Sequence, residues 1–149
     1  MKIIVQRVTR AAVTVDGTIT GAIDHGMLLL VGVTHTDTRA NADWLARKIA
    51  SLRLFRALDG PSHFDRSITE VGGAILVVSQ FTLYGDSRKG RRPDFTQAAR
   101  PDIAAPLIDY FCDQLCEQGI RVETGIFGAD MLVELANDGP VTLIVERDA

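Results

Sequence analysis

Two short apolar runs constrain the fold of this chain more than any other feature. The segment MLLLVGVT starts at Met27, directly after Gly26, and AILVVSQFTL starts at Ala74. An uninterrupted apolar run of this length is typical of a strand that is buried on both faces of a sheet. A sheet with such strands must be covered by other elements, so the chain has to supply helices as well.

Two segments carry the helical period that can cover the sheet. The apolar positions of residues 37–56 fall on one stripe, formed by Ala42, Leu45, Ile49 and Leu52. Residues 101–119, PDIAAPLIDYFCDQLCEQG, predict a second helix. Gly119 is expected to cap its C-terminus, and Pro106 is tolerated only in the first turn.

The remaining apolar segments predict strands. KIIVQRV and AVTVDGTITGAI indicate a hairpin that turns at Asp16-Gly17, and RVETGIFG, MLVELAND and PVTLIVER close the chain as three further strands. The predicted order is β-β-β-α-β-α-β-β-β, without repeat, linker or low-complexity tract. We therefore expect one α+β domain over residues 1–149, with a mixed sheet and two packed helices.

Composition narrows the possible functions. Hydrophobic residues make up 46% of the chain and charged residues 23%, as in ordinary soluble globular proteins. The net charge of −3 does not indicate a nucleic-acid binder, so any such role has to rest on a local patch. No apolar run approaches the ~20 residues that span a membrane. The N-terminus alternates like a strand and lacks the apolar core of a signal peptide, so a cytoplasmic location is expected.

The residues that usually carry metal or nucleophilic chemistry are dispersed. Cys112 and Cys116 share one helix face, but no further ligands lie nearby, which favours two buried thiols over a metal site or a disulfide. His25, His35 and His63 all fall in predicted turns or loops. No triad is evident, and neither a Walker motif nor G-x-G-x-x-G follows a strand. We expect no metal and no cofactor.

Polar side chains follow the second apolar run where the strand is predicted to end. Ser79, Gln80 and Thr82 come in close succession, interrupted only by Phe81. Polar residues at a strand end often line a pocket, where backbone N–H groups are available as donors. The same side chains could equally satisfy one another at the rim of the sheet, so the pattern leaves both interpretations open.

Positive charge is concentrated in the loop that comes next, YGDSRKGRRPDF. Arg88, Lys89, Arg91 and Arg92 surround Gly90. Such a run is often only a solvated loop, but beside a strand-end pocket it favours contact with phosphate. A pocket with a basic rim suits the end of a nucleic acid or a phosphorylated small molecule.

The segment NDGPVT, residues 137–142, is the second unusual motif. Pro140 has no N–H, so it fits only the first residue of a strand or a sheet edge. Gly139 allows a backbone conformation that is barred to other residues. The residues alone do not decide whether this is a simple turn or a working part of the protein.

The two motifs together resemble the D-aminoacyl-tRNA deacylase family, homodimeric enzymes that remove D-amino acids from mischarged tRNA. The resemblance covers essentially the whole chain, including MKIIVQRV, GMLLLVGV and FGADM. The Ser-Gln-Phe-Thr motif at residues 79–82 is intact, which favours the main branch of the family over its animal-specific relative.

The resemblance implies a role for each motif. Gly139-Pro140 should be a cis pair that reaches into the active site of the partner subunit, and Arg7 should brace that loop. The residues expected to form the catalytic wall around the terminal adenosine and its aminoacyl ester are Ser79, Gln80, Phe81 and Thr82. The residues that we infer to contact tRNA, from their charge, are Arg88, Lys89, Arg91 and Arg92.

Chemistry completes the expected mechanism. An ester needs a placed water and donors for the developing oxyanion, with help from the ribose 2′-hydroxyl, so no side-chain nucleophile is required. A rival mechanism uses Thr82 as nucleophile. The carbonyls of a cis Gly-Pro unit can hold the substrate ammonium while the unit crowds an L side chain, so it would act as a chiral gate. Glycine has no side chain, so glycyl-tRNA mischarged on tRNA-Ala should also react.

Two other classes of function stay open at this point. The protein could be a dimeric RNA-binding module without catalysis, or an esterase that acts on a small metabolite. Neither DNA nor a membrane is an expected partner.

Overall fold

One mixed sheet of six strands organises the chain, of which the computed structural model describes residues 1–148. Its elements in chain order are β1 (Lys2–Val15), β2 (Thr18–Ile23), β3 (Gly26–Gly32), α1 (Arg39–Ser51), β4 (Ala74–Ser79), the 3-10 turn Phe81–Tyr84, α2 (Pro101–Glu117), β5 (Arg121–Thr124) and β6 (Leu132–Glu146). The predicted α+β class, with a mixed sheet and two helices, is confirmed.

The long strand β1 lies at the centre of the sheet. One edge of β1 pairs antiparallel with β6. Along the other edge, residues 2–8 pair antiparallel with β3 and residues 11–15 pair antiparallel with β2. Strands β4 and β5 continue the sheet beyond β3 in parallel pairing. The turn from β1 to β2 has a positive φ at both Asp16 (48°) and Gly17 (78°), which is typical of a type I′ hairpin. The predicted hairpin is confirmed.

Helices α1 and α2 cover one face of the sheet and enclose the larger apolar core. Ala42, Leu45 and Ile49 of α1 are each 0% exposed, which confirms three residues of the predicted stripe. The fourth, Leu52, lies just past the helix, which ends at Ser51. A smaller apolar cluster lies on the other face. Within the described residues, no helix has the length and apolar character needed to cross a bilayer.

Helix α2 contradicts one expectation and confirms another. It begins at Pro101, so Pro106 lies in the second turn rather than the first. Pro106 cannot donate to the carbonyl of Asp102, but both residues are exposed and water can bond that carbonyl. Gly119, with φ of 80°, follows the helix in the left-handed region and is the predicted C-terminal cap.

Three predicted strands differ from the structure. The apolar run from Ala74 is a strand only to Ser79, because the chain then turns into the 3-10 segment. The strand predicted in RVETGIFG ends at Thr124. MLVELAND and PVTLIVER form the single strand β6, which keeps its pairing to β1 on both sides of an irregularity. That irregularity is the NDGPVT motif.

Candidate active site

A cavity of about 520 Å³ opens where the parallel strands β3 and β4 end. Ser79 pairs with Val31 at the last step of the β3–β4 ladder. The backbone N–H of Gln80 then donates to the Val31 carbonyl at 2.8 Å. Ser79, Gln80 and Phe81 line the cavity, and most of its other lining is apolar. Three of the four motif residues thus border a pocket, whereas Thr82 is not among the lining residues. The volume of the cavity falls in the range of small-molecule sites.

The 3-10 turn sets the direction of the motif's polar groups. Gln80 precedes the turn, and its side-chain amide donates to the Thr82 hydroxyl. The amide nitrogen donates in this contact and an amide is not a general base, so the contact does not activate Thr82 as a nucleophile. The first amides of a helical turn have no acceptor within it, which leaves those of Phe81 and Thr82 available to a ligand.

Two other parts of the chain complete the cavity wall. Phe81 is 58% exposed, and its ring meets the ring of Phe95 edge to face at a centroid distance of 5.1 Å. Phe127 and Met131 come from the segment between β5 and β6. Phe95, Phe127 and Met131 were not predicted as site residues from the sequence. The only available signal was their position in segments that carry the family resemblance.

The NDGPVT motif forms a four-residue bulge in β6. Residues 138–141 lie between two successive pairs of the β1–β6 ladder, whereas on β1 only Arg7 lies between them. The flanking pairs are Gln6 with Thr142 and Val8 with Asn137. The bulge places Gly139 and Pro140 at the exposed edge of the sheet. The peptide bond between them is cis, as the resemblance implies, and Gly139 has a φ of +121°.

Arg7 lies beneath the bulge and is almost completely buried, with 2% of its side chain exposed. Its Nη1 donates to the Leu54 carbonyl at 2.6 Å and to the His63 carbonyl at 3.2 Å. Its Nε lies 3.0 Å from Asp138 Oδ2 but makes no hydrogen bond within the described chain, so this contact is an ion pair with poor alignment. The guanidinium thus ties the first residue of the bulge to the segment that follows α1.

The basic loop is a hairpin closed by a bridge between Asp86 and Asp94. Arg88 turns back onto Asp86, with its Nη2 2.6 Å from Oδ2 and its Nε 2.9 Å from Oδ1. This hydrogen bonding lowers the pKa of Asp86 to about 2. The other three cations, Lys89, Arg91 and Arg92, are exposed at the tip. Arg88 is therefore partly neutralised within the loop, and the tip carries the positive charge that can meet an external phosphate.

The described residues contain no cluster of three or more His, Cys, Asp or Glu that could hold a metal ion. The expectation of two buried thiols is wrong for Cys116, which is exposed, because it lies just past the buried Leu115 on the outer side of α2. Cys112 is half-buried, and burial raises its pKa to about 12. All three histidines lie outside helices and regular strands, as predicted.

The bulge and the cavity are separate in a single chain. Among the described residues, the cavity is lined by strand ends, α2 and the segment before β6, and neither Gly139 nor Pro140 belongs to this lining. Arg7 and Asp138 instead border a second, smaller cavity. Within the described chain, the bulge therefore does not form part of the wall of the strand-end cavity.

The fold and its cavity define an α+β protein with a ligand-sized pocket at the carboxyl ends of its parallel strands. A family model described as D-Tyr-tRNA(Tyr) deacylase matches residues 4–146. The match includes the strand-end motif and the bulge. The chain therefore belongs to the D-Tyr-tRNA(Tyr) deacylase family.

Individual relatives agree with this assignment. A D-aminoacyl-tRNA deacylase of Exiguobacterium sibiricum is 58% identical over 147 residues, covering 99% of this chain and 100% of the relative. The enzyme of the same name from Thermus aquaticus is 56% identical over 146 residues, covering 98% and 95% of the two chains.

Solved structures share the fold. One described as c-Myc DNA Unwinding Element Binding Protein has a TM-score of 0.92 and 41% identity, with 100% of both chains covered. Another, described as a probable eukaryotic D-amino acid tRNA deacylase, has a TM-score of 0.85 over 98% of both chains. The second is only 18% identical, so it supports the fold alone.

Proposed function

We propose that this protein is a D-aminoacyl-tRNA deacylase, a carboxylic ester hydrolase that releases the D-amino acid and free tRNA. The observation that carries the proposal is the near-complete match to relatives of that name, at 58% identity over 147 residues. The cavity at the Ser-Gln-Phe-Thr motif is the proposed site of the reaction. A tRNA substrate also agrees with a cytoplasmic location.

Backbone donors and a placed water perform the chemistry in this proposal. The aminoacyl ester lies against Ser79, Gln80 and Phe81, and the free amides at the start of the 3-10 turn face the developing oxyanion. One such donor contributes about 10²–10³ in rate. The neighbouring ribose 2′-hydroxyl positions the attacking water. Thr82 helps to hold Gln80 and forms no covalent intermediate.

A homodimer brings the gate to the cavity. The support comes from β6, which pairs with β1 along one edge only among the described residues and carries exposed apolar side chains. These are Leu132 at 62%, Leu143 at 37% and Ile144 at 64% exposure. An exposed apolar edge strand is a ready surface for another chain. Two such edges would meet so that Gly139-Pro140 of one subunit enters the cavity of the other.

The gate and the cavity hold different groups of the substrate, and chiral selection follows from this arrangement. Backbone carbonyls of the gate accept from the substrate ammonium, and the amides of the cavity hold the ester. Only the hydrogen and the side chain on Cα can then exchange places between D and L substrates. The gate occupies the position of an L side chain and excludes it, since a clash with backbone that the rest of the bulge holds in place cannot be relieved cheaply. Glycine avoids the clash, so glycyl-tRNA mischarged on tRNA-Ala is a second substrate.

The basic hairpin supplies the long-range attraction to tRNA. Its exposed cations at Lys89, Arg91 and Arg92 follow closely after the Ser-Gln-Phe-Thr motif in the chain. Phosphates near the 3′ end would meet them once the terminal adenosine is in the cavity. The same basic surface also suits a nucleic-acid-binding protein without catalysis. The solved structure described as c-Myc DNA Unwinding Element Binding Protein, which is 41% identical to this chain, is the observation that favours this second candidate.

One assay separates these candidates. The protein is incubated with D-Tyr-tRNA, L-Tyr-tRNA and the ethyl ester of D-tyrosine, and release of tyrosine is followed for each. The deacylase releases tyrosine from D-Tyr-tRNA only. Binding of all tRNAs without turnover would support the non-catalytic module, and rapid cleavage of the free ester would support the metabolite esterase.

A further inference from the structure

The side chain of Asn137 holds both ends of the bulge. Its Nδ2 donates to the carbonyl of Arg7 at 2.9 Å and to the carbonyl of Val141 at 3.0 Å. Its Oδ1 accepts from the hydroxyl of Thr142 at 3.2 Å. One amide group therefore connects strand β1, the first residue after Pro140 and the point where the ladder resumes.

The interrupted ladder explains why this amide is needed. Between the pairs that flank the bulge, the chain of β6 leaves the sheet and strand pairing is broken. The carbonyls of Arg7 and Val141 lie in this gap, where the partner strand provides no ordinary ladder partner. Buried or half-buried carbonyls without a donor are unfavourable, and the Asn137 amide supplies both of the required N–H groups.

Few side chains could make the same set of contacts. The amide of asparagine has two donors and one acceptor on a short stem. Aspartate has the same shape but no donor when ionised, and alanine has neither donor nor acceptor. Asn137 thus acts on the bulge differently from Arg7. The arginine side chain holds Asp138 from below, whereas the asparagine joins the two stems of the bulge.

We infer that Asn137 is a positioning residue for chiral selection. It fixes the distance between the stems of the bulge and so sets where Gly139-Pro140 stand relative to the sheet. This inference rests on the proposed role of Gly139-Pro140 as the gate. Loss of the amide should displace the gate. It should therefore reduce discrimination between D and L substrates more than it reduces the stability of the folded protein.

The chain offers a matched control for a purely structural effect. The Nδ2 of Asn41 also donates to two backbone carbonyls, those of Arg147 at 3.3 Å and Asp148 at 3.2 Å. These contacts lie at the far end of β6, away from the bulge. Asn41→Ala therefore removes a comparable side-chain amide without touching the gate.

The test measures selectivity rather than stability. Asn137→Ala and Asn137→Asp are compared with Asn41→Ala and with Gly139→Ala, which alters the gate directly. For each variant the rates on D-Tyr-tRNA and L-Tyr-tRNA are measured at a temperature where circular dichroism shows a folded protein. Both Asn137 variants should lower the D-to-L rate ratio by about tenfold or more, whereas Asn41→Ala should stay within about twofold of the wild type. If Asn137→Ala does not fold, the isosteric Asn137→Asp still gives the answer.

The outcomes separate this inference from the gate itself. If Gly139→Ala changes selectivity and both Asn137 variants keep the wild-type ratio, the positioning role is wrong and the gate stands. If Gly139→Ala also keeps the wild-type ratio, the proposed gate is wrong and the inference falls with it. If Asn41→Ala lowers the ratio as strongly as the Asn137 variants, the effect is a general loss of order and the positioning role is again wrong.

Discussion

Replacing Arg7 with alanine should destabilise the protein and loosen the gate. The Arg7 side chain is 2% exposed. The substitution removes it together with its ion pair to Asp138 and its hydrogen bonds to two backbone carbonyls. Breaking a buried pair by removing one partner typically costs about 3–5 kcal/mol. Asp138 is 26% exposed, so water compensates part of its charge and we expect the low end of that range. The orphaned Leu54 carbonyl adds about 1 kcal/mol.

The sum of about 4 kcal/mol is a large share of the roughly 5–15 kcal/mol that stabilises a typical domain. For a chain of this size it corresponds to a melting temperature lower by about 8–16 °C. Urea denaturation followed by circular dichroism gives the free energy of unfolding. Deacylation of D-Tyr-tRNA and L-Tyr-tRNA, measured well below the transition, gives the effect on the gate. We expect slower D-Tyr-tRNA hydrolysis and weaker discrimination.

Arg56→Ala is the control for this variant. The Nη2 of Arg56 lies 3.7 Å from Asp138 Oδ1, but the side chain is 53% exposed, so the pair contributes only about 0–1 kcal/mol. If Arg7→Ala is destabilised by no more than Arg56→Ala and keeps the wild-type rates on both substrates, Arg7 does not brace the bulge. The structural account of that loop would then be wrong.

Three further predictions concern the basic loop, the mechanism and the thiols. Neutralising the exposed pair Arg91 and Arg92 to Gln should weaken tRNA binding across sequences and flatten the dependence of log K on log salt by about 0.7–0.9 per lost contact; an unchanged slope would assign the loop to solvated surface. Thr82→Ala should keep appreciable turnover, and mass spectrometry should find no aminoacyl adduct in the wild type; such an adduct on Thr82 would establish the nucleophilic mechanism. Iodoacetamide at neutral pH should modify Cys116 well before Cys112, because burial raises the Cys112 pKa to about 12. Equal labelling of both, measured on peptides, would contradict this.

Local patterns predicted most of the fold. The hairpin at Asp16-Gly17 depends on two neighbouring residues, and the buried stripe of α1 depends on spacing within a few turns, so both could be inferred from the sequence. The strand β3, buried at every residue except the half-buried Leu30, was likewise predictable from its unbroken apolar run. These features are decided by residues that are close in the chain, where periodicity and turn chemistry are informative.

Contacts between distant segments determined the structural features that local sequence patterns could not predict. MLVELAND and PVTLIVER are joined into one strand only because both pair with β1, which lies more than a hundred residues earlier. The exposure of Cys116 depends on how α2 is rotated against the sheet. Phe95, Phe127 and Met131 reach the cavity from distant segments, and no local pattern marks them. The strand-end motif was found because its polar residues interrupt an apolar run, while the roles of Arg7 and Gly139-Pro140 came from the family resemblance.

Subunit mixing tests the central claim, that the gate of one subunit serves the cavity of the other. Gly139→Ala disables the gate, because a Cβ there would lie 2.8 Å from Val141 Cγ2 and 2.9 Å from Val141 N at a φ of +121°. Ala129→Trp fills the cavity that Ala129 lines. Each variant alone should be strongly impaired on D-Tyr-tRNA, because Gly139→Ala displaces the carbonyls proposed to hold the substrate ammonium and Ala129→Trp blocks the cavity.

The two variants are unfolded together, refolded as an equal mixture and assayed on D-Tyr-tRNA. Random pairing makes half of the dimers mixed, and each mixed dimer has one intact gate facing one intact cavity, so about a quarter of the wild-type activity should return. No recovery in a mixture that size-exclusion chromatography and mass spectrometry show to contain mixed dimers would contradict the account, since gate and cavity would then have to come from the same chain.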